Sequence, residues 1–289
     1  MNSVPQLNLD WASDDVNGLR KAYAADRAEY IDDAPKDVEV ERFSVLGVGG
    51  LLFSPPEIRS STPILYFHGG SWMVGSPRTH RTLCAVLSKV SGRHVISASY
   101  RLAPEHEFPT QKVDAVMAVN AVLQGRVAPF DTPLRVALAG DSAGAAMALW
   151  AEAGLNARQR GQIEQVICLY GAFGLRDSDS LQRFGPTTPG LSKNDVAAFY
   201  GRLGPNVPTN FTSTFASLGA PLTLLIAEND PLADDSRALA EWAKKQGRTV
   251  NIVEAEGYGH GFMHTAGRDA KAADLLRTAS SQLKPIYQR

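Results

Sequence analysis

The chain has 289 residues, 44% of them hydrophobic, which is enough for one large single-core domain. Its 29 Lys and Arg against 30 Asp and Glu leave a formal net charge of -1 with the basic residues scattered, so nothing draws it to nucleic acid or to an anionic membrane surface. Its two cysteines, Cys84 and Cys168, sit in apolar runs and read as free buried thiols, and no apolar run approaches the roughly 18 residues of a membrane span; a cytoplasmic protein is expected.

The N-terminal stretch "MNSVPQLNLDWASDD" has neither the basic start nor the apolar segment of a leader, and a helix-like "NGLRKAYAADRAEYI" follows it. From Val38 onward, strand-like and helix-like runs alternate, the signature of a mainly parallel α/β sheet. "VEVERFSVL" and "GLLFSP" read as an opening pair of strands, "PILYFHGG" as a buried strand, and "RHVISASY" as another after the helix-like "HRTLCAVLSKVSG". Next, "LRVALAGDS" runs directly into "AGAAMALWAEAGLNA", whose small residues suit a tightly packed helix. "QVICLYGAF", "APLTLLIAEND" and "TVNIVEAEG" read as three more buried strands, eight in all, with helices expected through "DDSRALAEWAKKQG" and "DAKAADLLRTASSQLK". Two segments resist this rhythm, residues 1–37 and 175–215, the second Gly/Pro/Ser/Thr-rich with one helix-like piece at "SKNDVAAFYGRL". They are expected as cap or lid segments over one face of a single domain spanning 1–289.

"GDSAG", Gly140 to Gly144, fits G-x-S-x-G between an apolar strand and a small-residue helix, the context that lifts a serine clear of a sheet. Ser142 is therefore the candidate nucleophile. A serine hydroxyl needs a base, and the base needs a carboxylate to hold its tautomer. In the chain order Ser, acid, His, only His260 and His264 follow Ser142; His260 lies in the glycine-rich "EGYGHGF" directly after the last strand and is preferred. Asp230 falls just past a strand end in "IAENDPLADDS" and is the candidate acid, with Glu228 and Asp234 as runners-up whose alternative roles are helix capping or a supporting hydrogen bond.

Attack on an acyl carbonyl creates an oxyanion, and each backbone N–H aimed at it contributes about 3–4 kcal/mol where one has been removed. The "HGGSW" loop offers such bare amides: Gly70 and Ser71, joined by Ala143 at the start of the helix after the nucleophile, are the candidate oxyanion hole. His68 and Gly69 are expected to brace that loop. Trp72 and Phe173 are candidates for the pocket wall, with ordinary core packing as the alternative, and Arg176 and Arg183 for contact with an anionic substrate or a solvated surface. His80, His94 and His106 show no HxxxH or HxH pairing, so they read as structural and no metal site is expected.

Taken together, "HGGSW", "SASYRLAPEHEFPTQKVDA", "GDSAG", "DPLADD" and "GHGF", in that order, closely resemble the hormone-sensitive-lipase-like family of bacterial esterases over Pro63 to His264. The resemblance implies an α/β-hydrolase fold with a mostly parallel eight-stranded sheet, helices on both faces and a small helical cap. It also implies a Ser142–Asp230–His260 triad, hydrolysis of short-chain acyl esters without a cofactor, and a structural role for Tyr100 to His106 beneath the oxyanion loop. A homodimer is compatible with it. The third glycine usual after the histidine is here Ser71, followed by Trp72, so the loop is also similar to the HGGxW motif of arylformamidases. That leaves an amide hydrolase acting on an N-formylkynurenine-like substrate as an alternative. A non-catalytic small-molecule binder is a third reading, against which His260 stands.

Overall fold

The runs expected to form strands do so in a computed structural model, which describes residues 9–13, 15–130, 135–208, 215 and 219–281; the last of them, "TVNIVEAEG", is not the buried strand expected, because it lies at a sheet edge with Ile252 and Glu254 exposed. The strands are β1 (Glu39–Val45), β2 (Val48–Ser54), β3 (Ile64–Phe67), β4 (Val95–Ala98), β5 (Val136–Asp141), β6 (Ile163–Leu169), β7 (Leu222–Asn229) and β8 (Val250–Gly259). They make one sheet in the order β1-β2-β4-β3-β5-β6-β7-β8. β1 and β2 enter antiparallel, and β4 through β8 run parallel. Every residue of β3, β4, β5 and β6 is buried, because a parallel sheet is covered on both faces and needs apolar side chains on each.

The helices are α1 (Val16–Ala28), α2 (Arg81–Ser91), α3 (Thr110–Leu123), α4 (Ala143–Gly154), α5 (Ala157–Arg160), α6 (Asp179–Phe184), α7 (Lys193–Arg202), α8 (Ala233–Lys245) and α9 (Ala270–Ser281). Two cores result. One contains Leu83 and Leu87 of α2 with Ala272, Leu276 and Ala279 of α9, and the other contains the buried faces of α3, α4 and α8. α3 is an element that the sequence reading passes over. α5 and α6 are short, and their capping residues Asn156 and Ser178 each accept an N–H three residues on.

The register fixes where the loops meet. Phe67 of β3 pairs with Gly140 of β5, so the segment after Phe67 and the turn at Ser142 leave the sheet at the same end. Asn229 of β7 pairs with Gly259 of β8, which brings Asp230 and His260 out side by side.

The two segments expected as a cap touch each other. Trp11 donates from Nε1 to the Gly190 carbonyl at 2.7 Å, and Arg202 donates to the carbonyls of Ala12 and Ser13 at 2.6 and 3.1 Å. Residues 1–8 and 14 of the first segment, 209–214 of the second, and the last three positions expected in the final helix lie outside the described residues. Among the described residues no helix is long and apolar enough to cross a membrane, and both cysteines are buried free thiols.

Candidate active site

Ser142 sits between β5 and α4 with φ 50° and ψ −119°, left-handed backbone that costs a non-glycine residue roughly 1–3 kcal/mol. The flanking glycines make this turn sterically feasible. A Cβ at Gly140 would lie 2.2 Å from the Gly144 carbonyl oxygen, and one at Gly144 would lie 2.0 Å from that of Phe67. Close contact between α4 and β3 thus carries the serine above the sheet.

His260 Nε2 lies 2.9 Å from Ser142 Oγ, and its Nδ1 lies 2.9 Å from Asp230 Oδ2. A carboxylate accepts only, so Nδ1 carries the proton and Nε2 is left free to accept from the serine hydroxyl. Asp230 is buried, and its other oxygen accepts from the Leu232 amide at 2.8 Å. The Tyr170 ring backs the imidazole edge-on, with centroids 5.1 Å apart.

The runners-up are occupied elsewhere. Glu228 is exposed and accepts from the Gly257 amide at 2.8 Å. Asp234, in the first turn of α8, accepts from the Ser180 amide at 2.8 Å. His264 is buried in the turn Phe262–Thr265, its ring 4.7 Å from that of His80.

Gly70 and Ser71 line a cavity of about 100 Å³ together with Asp141, Ser142 and His260. Gly70, Ser71 and Trp72 all have positive φ (111°, 52° and 57°), so the loop coils tightly instead of extending from β3. At Gly70 this requires glycine, since a Cβ would lie 2.4 Å from the Val74 carbonyl oxygen. Ala143 supplies the first amide of α4, beside the serine.

Beneath the loop, His68 donates from Nδ1 to the Gly69 carbonyl at 2.8 Å and stacks on Tyr100 at 4.3 Å. Burial, with the neighbouring His80, pushes its pKa down to about 3, so the ring is neutral. Tyr100 donates its hydroxyl to the His68 carbonyl at 2.7 Å, and the Ala103 amide donates to the Trp72 carbonyl at 2.9 Å.

Asp141 supports the same loop, a part that sequence reasoning missed because it occupies the unspecified position of G-x-S-x-G. Its Oδ1 accepts from the Tyr66 hydroxyl at 2.6 Å and the Gly69 amide at 2.9 Å, with His80 Nε2 at 3.4 Å. Burial opposes its ionisation, but His80 and Tyr66 hold its pKa well below the ordinary value. His80, Asp141 and His264 each offer a ligand atom within 4.8 Å of the others, a set with metal-ligand spacing that no sequence interval announces. His80 Nε2 also lies 3.3 Å from the Gly69 amide, and burial and the charge of Arg27 depress the His264 pKa.

Two pocket candidates are corrected. Trp72 is fully buried and stacks on Trp150 at 5.5 Å, because its left-handed backbone turns the indole beneath the loop into the core. Phe173 borders a separate, smaller cavity with Trp150, Tyr200 and Phe215. The cavity at Ser142 is walled instead by Leu9, Trp11, Tyr23 and Arg27 from the N-terminal segment and by Thr188 to Leu191. Arg176 lies over the Tyr200 ring at 4.9 Å and Arg183 is exposed, and neither lines that cavity. His94 contacts Ser54 Oγ at 3.1 Å, and His106 is exposed.

A family described as alpha/beta hydrolase fold matches residues 64–264. An acetyl esterase of Salmonella paratyphi B is 27% identical over 92% of this chain and 86% of its own length. A hyperthermophilic esterase from the archaeon Pyrobaculum calidifontis superposes with a TM-score of 0.83 at 26% identity, covering 97% of this chain and 94% of that one. A thermophilic carboxylesterase cloned from a metagenomic library superposes at 0.82 with 25% identity, over 96% of this chain and 100% of that one. With its sheet order, its strand-to-helix serine turn and this match, the chain belongs to the alpha/beta hydrolase fold family, in its hormone-sensitive-lipase-like branch, and is a hydrolytic enzyme.

Proposed function

We propose that the chain is a serine carboxylesterase that hydrolyses short-chain acyl esters through Ser142, His260 and Asp230. The observation that carries this reading is the imidazole of His260, 2.9 Å from both the serine oxygen and the buried carboxylate. Ser142 Oγ attacks the ester carbonyl carbon as His260 Nε2 takes its proton, and Asp230 steadies the resulting imidazolium. The amides of Gly70, Ser71 and Ala143 receive the negative oxygen. The carbon–oxygen bond to the alcohol then breaks, with His260 returning its proton to the leaving oxygen. Water repeats the sequence on the acyl-serine and frees the acid.

The small cavity and its apolar walls at Leu9, Trp11 and Leu191 support short acyl chains. Residues 1–37 and 175–215 are read as the cap over a single domain, with Trp11 and Gly190 as their meeting point. The formamide alternative draws on Trp72, whose side chain packs in the core, so the ester reading is preferred. A cytoplasmic location agrees with the two free thiols, and a homodimer rests on the family resemblance alone. Turnover of p-nitrophenyl esters from acetate upward, set against N-formylkynurenine, tests the proposal. Turnover highest on acetate and butyrate is expected, and hydrolysis of the formamide alone would reverse the reading.

A further inference from the structure

Arg27, near the end of α1, lines the same cavity as Ser71, Ser142 and His260. Its guanidinium lies 4.8 Å over the Tyr23 ring and 5.9 Å from the Tyr30 ring, which holds its plane in place. Asp26 Oδ2 is 3.3 Å from Nη1 and Tyr23 is a side-chain hydrogen-bond partner, but neither Nε nor Nη1, both buried, has an acceptor in good geometry among the described residues. A guanidinium cannot shed its charge, and buried donors left without acceptors are costly. The apolar walls around it, Leu9, Trp11, Pro189 and Leu191, carry no side-chain acceptor.

The carboxylates at the serine are engaged elsewhere. Asp141 is engaged by Tyr66 and Gly69, and Asp230 by His260 and Leu232. Arg27 is therefore a cation incompletely matched by Asp26, on the wall of the cavity that Ser142 also lines. Such a site favours a planar anion that can accept two N–H groups, and a carboxylate has that geometry. The acyl group occupies the site through both halves of the reaction, whereas the alcohol departs after the first, so a fixed counter-charge acts longest on the acyl side.

We infer that Arg27 receives a carboxylate at the far end of the acyl chain, which makes half-esters of short dicarboxylic acids the preferred substrate class. The inference rests on the esterase reading above.

Initial rates followed by pH-stat on monoethyl glutarate and on ethyl pentanoate compare acyl chains of one length that differ in charge. The wild type is expected to favour the half-ester by about tenfold or more in kcat/KM, mainly through KM, and to lose part of that preference as salt rises. Arg27→Met should depress the half-ester about tenfold more than the neutral ester, and Arg27→Lys should recover part of the difference. Free glutarate should inhibit the wild type competitively, a readout that stands even if the variants fail to fold.

Equal wild-type rates on the two esters would overturn the inference, as would equal losses on both in Arg27→Met. A preference for 4-acetoxybutanoate over butyl acetate without one for the half-ester would also overturn it, by moving the charge to the alcohol side. If folded wild-type protein hydrolyses no ester at all, the esterase reading itself falls, a separate result.

Discussion

The carboxylate of Asp141 and the amide of Gly69 meet at 2.9 Å, so the residue preceding the serine holds the loop that faces it. Removing that carboxylate strands the Gly69 amide and the Tyr66 hydroxyl in a buried site, at about 1–3 kcal/mol each. Asp141→Ala is expected to lower kcat by roughly 10- to 100-fold with KM nearly unchanged, and to lower Tm. Asp141→Asn keeps an acceptor for Gly69 and should retain more of kcat. Steady-state kinetics beside thermal melts separate misplacement of the loop from general unfolding.

The coiled path of that loop makes a second expectation. In Gly70→Ala the new methyl would press on the Val74 carbonyl, and φ 111° is disfavoured for alanine, so the amide must move. A loss in kcat on the order of 10²-fold is expected, the size seen when one oxyanion donor is removed. Gly247→Ala provides the control: its φ of 74° carries similar strain, but nothing lies within 4 Å of the new methyl. Its kcat should match the wild type.

Stability should depend on pH through Asp235. Burial raises its carboxyl pKa to about 7, against the pull of the Phe173 and Leu175 amides, which donate to Oδ1 at 2.6 and 3.2 Å. Between its ordinary value of 3.8 and about 7, the folded chain holds a proton that the unfolded chain has lost. This contribution is therefore full at low pH and declines as pH rises through that window. Asp235→Asn keeps an acceptor and removes the titration, so its Tm relative to wild type should rise between pH 5 and pH 8. A constant difference across that range would show that Asp235 does not titrate there.

The contact between Trp11 and Gly190 is the seam of the proposed cap. Trp11→Phe keeps an aromatic wall and strands the Gly190 carbonyl. The expected result is a KM raised about three- to tenfold for p-nitrophenyl butyrate with kcat little changed, since the loss falls on substrate enclosure. A loss confined to kcat would argue that the seam serves the chemistry instead.

β3 to β7 were legible because buried parallel strands write themselves as apolar runs, and "GDSAG" and "HGGSW" mark the ends of two that pair, Phe67 beside Gly140. α3 was not. Its sequence is apolar around most of the helix, and Val113 and Met117, 47% and 42% exposed, blur the period that would have marked a buried face. The cavity walls were illegible for another reason. Leu9, Trp11, Tyr23 and Arg27 meet Thr188 to Leu191 only through tertiary packing, and no local spacing announces it. Trp72 misled because an aromatic beside a reactive loop reads as a wall, whereas a φ of 57° sends it into the core.

The central claim, that His260 activates Ser142, is tested most directly by fluorophosphonate labelling mapped to peptides by mass spectrometry. The account predicts a single adduct on Ser142 in the wild type that is lost in a folded His260→Ala variant. A label on another serine, or equal labelling of Ser142 in both proteins, would contradict it.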